Sequence, residues 1–145
     1  MSLPFDTRIV FDEIPDSRQN PQQQLYTVTG MTIRKRRAEP LGIQVAVNGK
    51  QILLWRRDDH VFATDALCPH QKANLALGDV EDLGGELCIV CPTHNWQFSL
   101  RSGRCRNTRH EETLSRYKCY VDEETGRVFV LFDSIDSSIF ADTDF

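Results

Sequence analysis

The sequence predicts an all-β fold, an antiparallel β-sandwich or small barrel with a loop-rich subdomain inserted into it. Three observations lead there. From Leu25 onward the chain runs in short stretches of β-branched and aromatic residues separated by turn residues. Asn48-Gly49, flanked by two such stretches, is a strong hairpin signal. No segment sustains a helical period.

Taken in order, residues 1–24 hold Pro4, Pro15 and Pro21, several glutamines and little periodicity, and read as an N-terminal arm, parts of which could lie along the domain. The body spans residues 25–134. Strands are expected at residues 25–33, 43–47, 51–55, 61–64, 87–91, 96–100, 117–121 and 127–132, with Asp58-Asp59 and Thr125-Gly126 as turns. Short helical turns fit residues 72–77 and 111–115. The inserted subdomain covers about residues 66–106. Arg34-Lys35-Arg36-Arg37, just before Pro40, reads as a solvated loop in preference to a nuclear address or docking patch. Residues 135–145 read as an acidic, mobile tail, since the chain from Asp133 onward carries four Asp and no basic residue.

At 145 residues the chain is expected to form one domain around a single core. A net charge of −4 and a pI near 5.5 argue against nucleic acid as the main partner. The first residues show no secretory pattern, and no apolar run approaches the length of a membrane helix. Five cysteines, an odd number, suggest reduced thiols in a cytoplasmic compartment. There is no internal repeat and no phosphate-binding glycine loop.

The chemistry concentrates in Cys68-Pro69-His70 and Cys91-Pro92-Thr93-His94, two Cys/His pairs at the ends of a long insertion. Two thiolates and two imidazoles make a four-ligand set for zinc or an iron-sulfur cluster. Zinc knuckles commonly supply two sulfurs together, whereas each pair here supplies one sulfur and one nitrogen. That order suits a centre with two unlike irons, Cys68 and Cys91 on one and His70 and His94 on the other. A structural zinc site is the competing reading. Strand alternation puts Cys88 on the face opposite Cys91, as a small core residue. His60 and His110 read as surface residues.

The run CPHQKANLALGDVEDLGGELCIVCPTHNWQFSLRSG resembles the Rieske iron-sulfur family, with its Cys-x-His and Cys-x-x-His boxes. The resemblance implies stacked antiparallel sheets with a cluster-binding subdomain at one tip. It also implies one [2Fe-2S] cluster per chain, with Cys68, His70, Cys91 and His94 as ligands. High-potential members carry an extra cysteine in each box, forming a disulfide, and place Ser and Tyr hydroxyls toward sulfur. The matching positions here are Ala73, Thr93, Trp96 and Phe98, which implies a potential low in the Rieske range of roughly −150 to +300 mV. Histidine ligation further implies that the potential falls as pH rises through the ligand pKa values of the oxidised form. Trp96 reads either as a low-dielectric wall beneath the cluster or as an ordinary core aromatic.

Two departures stand out. Gln71-Lys72 follows the first box where a glycine is common, and residues 104–109 lack the proline-rich cover of many ferredoxin-like members. Lys72, Arg101, Arg104, Arg106 and Arg109 form either a basic ring for an acidic partner or merely solvated loops. The resemblance implies a soluble, monomeric Rieske-type ferredoxin passing one electron from a flavin-type reductase to an acceptor such as an oxygenase. Such a carrier is not itself an enzyme, and a second domain for mononuclear iron has no room in this length. Through Gly78-Asp79-Val80-Glu81-Asp82 and Cys88-Ile89-Val90-Cys91-Pro92 the chain also resembles small stand-alone Rieske-domain proteins of eukaryotes. A zinc-stapled interaction module and a cluster-based redox sensor are the alternatives.

Overall fold

A computed structural model describes residues 2–17, 25–28, 31–34, 41–69, 72–92, 95–107 and 111–136, the two segments 25–28 and 31–34 as backbone only. The described chain is all-β. Its strands are β1 (Leu3–Val10), β2 (Leu25–Val28), β3 (Met31–Arg34), β4 (Ile43–Val47), β5 (Lys50–Arg57), β6 (His60–Asp65), β7 (Asp79–Leu83), β8 (Glu86–Val90), β9 (Gln97–Ser99), β10 (Arg116–Tyr117), β11 (Cys119–Val121) and β12 (Arg127–Phe132). They form sheets ordered β1-β12-β11, β10-β6-β5-β4 and β7-β8-β9, with β2 and β3 as a separate hairpin. Every ladder between these strands is antiparallel.

β5 ties the molecule together. Its period of two sends Ile52 and Leu54 into a basal core with Ile14, Val128 and Val130, and Leu53 and Trp55 into a second core with Cys68, Cys91, Trp96 and Phe98. All four β5 side chains are at most 1% exposed. Paired on one side to β4 and on the other to β6, the strand is covered on both faces and both edges. Trp55 Nε1 donates to Thr64 Oγ1 at 3.0 Å, so the indole enters the core with its polar atom satisfied.

The two ends of the chain differ from the sequence reading. Residues 1–24 were expected as an arm, yet Leu3–Val10 is the edge strand of a sheet, paired with β12 from Leu3↔Phe132 onward. Leu3, Phe5, Thr7 and Ile9 do alternate, and Pro4 is tolerated because an edge strand has backbone positions that no neighbour must pair. Phe5 packs edge-on against Phe132 at 5.2 Å, and Thr7 Oγ1 donates to Val128 O at 2.6 Å. At the other end, Asn48 Nδ2 donates to Ser134 O at 2.9 Å and Asp136 N donates to Asn48 Oδ1 at 2.7 Å. The start of the expected tail is therefore fastened to the β4–β5 turn; the rest of it, residues 137–145, lies outside the described residues.

Smaller differences follow the same logic. Where one strand was expected over residues 25–33, residues 25–28 and 31–34 are two paired strands, and Lys35 to Arg37 of the basic run lie outside the described residues. β7 went unrecognised because Asp79, Glu81 and Asp82 mask its strand character, although Asp79 and Glu81 are buried. Residues 72–77 hold only a 3-10 turn, Leu75–Leu77, and residues 111–115 hold none. Residues 117–121 split because the chain changes sheets at Lys118: Tyr117 pairs with Ala63 of β6, and Cys119 pairs with Val130 of β12.

At that junction Tyr117 donates its hydroxyl to Asp65 Oδ1 at 2.6 Å, and burial together with Asp65 raises the phenol's pKa. Cys119 Sγ donates to Val61 O at 3.3 Å, and burial pushes this thiol up to about 11. A raised pKa in the fold favours the neutral thiol, so its contribution is complete below 9.0 and is lost as pH rises to about 11. Urea denaturation across that window should show a loss of about 2–3 kcal/mol that Cys119→Val reduces, leaving the Tyr117 part; a slope unchanged by the substitution would refute the assignment. Ile14, 1% exposed, tests the correction at the N-terminus. Ile14→Ala should cost about 2–4 kcal/mol, whereas a residue in a loose arm would cost nothing measurable by thermal melting.

Candidate metal centre

Both boxes close on themselves in the same way. In the first, Cys68 N donates to Ala73 O at 2.9 Å, and Lys72 N returns a bond to Cys68 O at 2.7 Å. In the second, Cys91 N donates to Trp96 O at 2.8 Å. Each cysteine amide thus reaches the carbonyl five positions on. The residue before that carbonyl is left-handed in each loop, Lys72 at φ 56° and Asn95 at φ 55°. The closure is common to both although the Cys-to-His spacing differs by one. His70, Gln71, Thr93 and His94 themselves lie outside the described residues, so the two expected imidazole ligands receive no structural placement here.

The two expected sulfur ligands are placed together in one core. Cys68 and Cys91 are each 1% exposed and belong to the buried cluster that also holds Leu75, Val80, Ile89, Trp96 and Phe98. Neither is in a disulfide. Trp96 and Phe98 lie 6.2 Å apart, so the Trp96 position is both a core aromatic and a water-excluding neighbour of the cysteines. Leu67, next to Cys68, is 46% exposed and gives the site an apolar rim.

Local bonds hold the loops on this floor. Leu75 N donates to Ala66 O at 3.0 Å, and Asn74 Oδ1 caps the following 3-10 turn through Ala76 N at 3.0 Å. Gly78 then passes so close to β8 that an added Cβ would stand 2.2 Å from Val90 O, immediately before Cys91. Cys88 is fully buried outside the cysteine cluster, in keeping with the opposite face read from alternation. Burial raises its thiol pKa, the larger effect, against Arg106 Nη1 at 3.9 Å, which lowers it.

The segment after the second box is bonded back onto it. Arg106 N donates to Gln97 O at 2.8 Å, and Asn107 bonds both Asn95 and Gln97. Of the expected basic ring, Lys72, Arg101, Arg104 and Arg106 are exposed, and Arg109 lies outside the described residues. Arg106 is not purely solvating: it pairs with Glu86 at 3.4 Å and donates to Leu83 O at 2.9 Å. His60 is exposed as expected, while His110 is outside the described residues. The roles of Asn74, Gly78 and Asn107 were not read from the sequence, because a loop amide or glycine carries no signal until its partner is known.

Comparison with known proteins agrees with this architecture. The Rieske [2Fe-2S] domain pattern matches residues 33–118. A ferredoxin component of naphthalene 1,2-dioxygenase/salicylate 5-hydroxylase systems from Ralstonia is 32% identical over 80 residues, 55% of this chain and 73% of that protein. A human Rieske domain-containing protein is 28% identical over 60% of this chain and 55% of its own length. Cholesterol 7-desaturase nvd of Drosophila melanogaster is 31% identical over 61% of this chain but only 21% of the desaturase, so that likeness is confined to one part of it. Among solved structures, the ferredoxin of carbazole 1,9a-dioxygenase from Nocardioides aromaticivorans superposes with a TM-score of 0.57 at 20% identity, covering 88% of this chain and 95% of that one. At that identity it supports the fold alone. No helix among the described residues is long and apolar enough to cross a membrane.

The close approach at Gly78 makes a direct test of how the two boxes are held. Gly78→Ala should destabilise the protein by about 1–3 kcal/mol and lower its iron content. Gly84→Ala meets nothing within 4 Å and suffers only from its φ of +64°, so it should cost about 1 kcal/mol and leave iron unchanged. Equal iron loss in both variants would contradict the packing role.

Proposed function

The chain belongs to the Rieske [2Fe-2S] domain family, and from that premise we propose that it is a one-electron carrier of the low-potential, ferredoxin-like kind. One observation carries the reading furthest. Two buried cysteines, each closing its loop through the same backbone bond, lie in one core inside the span that matches the family. We assign Cys68 and Cys91 to one iron of the cluster and His70 and His94 to the other. The donor set fits: two thiols outside any disulfide, one per loop, with one histidine following each. A cluster so held supplies a reversible one-electron couple.

The protein's own contribution is to hold and shield. Leu75, Trp96 and Phe98 keep water from the cysteine side, and Leu67 is exposed beside Cys68. The brace and hydroxyl donors of high-potential members are replaced by Ala73, Thr93, Trp96 and Phe98, which favours a potential low in the family range. Electrons pass from a reductase, of flavin type, to a protein acceptor such as an oxygenase; the Ralstonia relative is named as the ferredoxin component of such systems. Lys72, exposed in the first box, suits an acidic face on that partner, whereas Arg101 lies with Gly84 and Gly85 at the β7–β8 turn, the end of β8 away from Cys91. In this reading the chain works as a cytoplasmic monomer, turns over no substrate itself, and has its functional body in residues 25–134 joined by β1 and Ile14.

Anaerobically purified protein should be red-brown and, after dithionite, should give an EPR signal whose average g lies below that of all-cysteine clusters. Cys91→Ala should be colourless and silent. A colourless wild type holding stoichiometric zinc would overturn the proposal and leave a structural module in its place.

A further inference from the structure

We infer that Asn107 is a positioning residue for the second box, a polar clasp in a chain that lacks a disulfide between its boxes; the inference rests on the cluster assignment above. The side chain uses both ends of its amide on the same loop. Nδ2 donates to Asn95 O at 2.9 Å, and Oδ1 accepts from Gln97 N at 3.0 Å. These two partners straddle Trp96, whose carbonyl receives the Cys91 amide. Asn107 therefore grips the strand on either side of the residue that closes the loop.

The grip falls where the backbone needs it. Asn95 is left-handed at φ 55°, a conformation that asparagine adopts more readily than most L-residues but that a loop must still fix at this one position. Its carbonyl is the one that Asn107 Nδ2 takes. The clasp is itself anchored: Arg106 N donates to Gln97 O at 2.8 Å, and Cys105 Sγ donates to Asn107 Oδ1 at 3.4 Å. Arg106 continues the attachment to Leu83 O and Glu86, so residues 105–107 bind β9 and the β7–β8 turn into one unit. The first box has a different fastening, through Lys72 N to Cys68 O and the turn at Asn74. Neither neighbour of a cysteine ligand supplies a second sulfur: Ala73 and Thr93 stand at the positions that would carry a covalent brace.

The clasp is exposed to solvent, so its effect is on the lifetime of the closed loop more than on the stability of the whole fold. Asn107→Ala should release iron to a chelator about tenfold faster than wild type, read as bleaching of the visible spectrum in native buffer, and should shift the reduced EPR line shape. Asn107→Asp keeps an acceptor for Gln97 N but loses the donor to Asn95 O, so it should fall between the two. Asn48→Ala is the control. It removes an asparagine that also makes two backbone bonds, to Ser134 and Asp136, far along the chain from the boxes, and it should lower melting temperature without speeding iron release. Amide exchange at Gln97, measured by mass spectrometry on iron-free protein as well, should quicken in Asn107→Ala. Iron release at the wild-type rate in Asn107→Ala, or equally fast release in Asn48→Ala, would overturn the inference. A wild type without iron would remove the cluster assignment, and unchanged exchange at Gln97 would then overturn the clasp separately.

Discussion

The structure depends on one strand being dry on both faces. Ile52, Leu53, Leu54 and Trp55 are consecutive and all buried, which a strand achieves only when something packs against each side of its sheet. On one side lies the basal core, on the other the core containing both box cysteines. Burial of this kind removes about 1.5–3 kcal/mol per large side chain from contact with water. The floor of the site and the body of the domain therefore share a strand, and neither is built without the other.

On that floor the boxes solve one geometric problem twice. Each must hold a buried cysteine at the start of a short loop and close that loop behind it. Both loops do this by bonding the cysteine amide to a carbonyl further on and by accepting one left-handed residue, lysine in one case and asparagine in the other. Asparagine tolerates that conformation better than most residues; lysine does not, and the return bond from its own amide to Cys68 O compensates. The closing bonds reach the fifth residue on in both loops, although the Cys-to-His spacing in the sequence differs by one.

Much of this was legible in advance. Alternation at β4 and β12, the short apolar runs at β5, β6 and β8, and the turn at Asn48-Gly49 announced the sheets. The box residues announced themselves through their chemistry and spacing. What stayed hidden were features whose meaning is supplied by a distant partner. β1 looks irregular until β12 lies beside it, and β7 looks like a charged loop until Asp79 and Glu81 are seen to be buried. The split at Lys118 could not be read from residues 117–121, which alternate smoothly through it; the break comes from two sheets competing for one strand. Asn48 advertised a turn, yet its side chain also serves as the fastening for Ser134 and Asp136.

The pairing of β1 with β12 brings residues near the two ends of the chain alongside each other, Leu3 opposite Phe132. Force applied by pulling on both ends would load that ladder as a zipper, breaking its bonds one after another, and would not shear them all at once. The domain is thus mechanically soft along its own chain, and the first strand to peel, β1, belongs to the sheet that packs on the basal core. The boxes sit on the other core, across β5, and would be reached by a pulling force only after that sheet had opened.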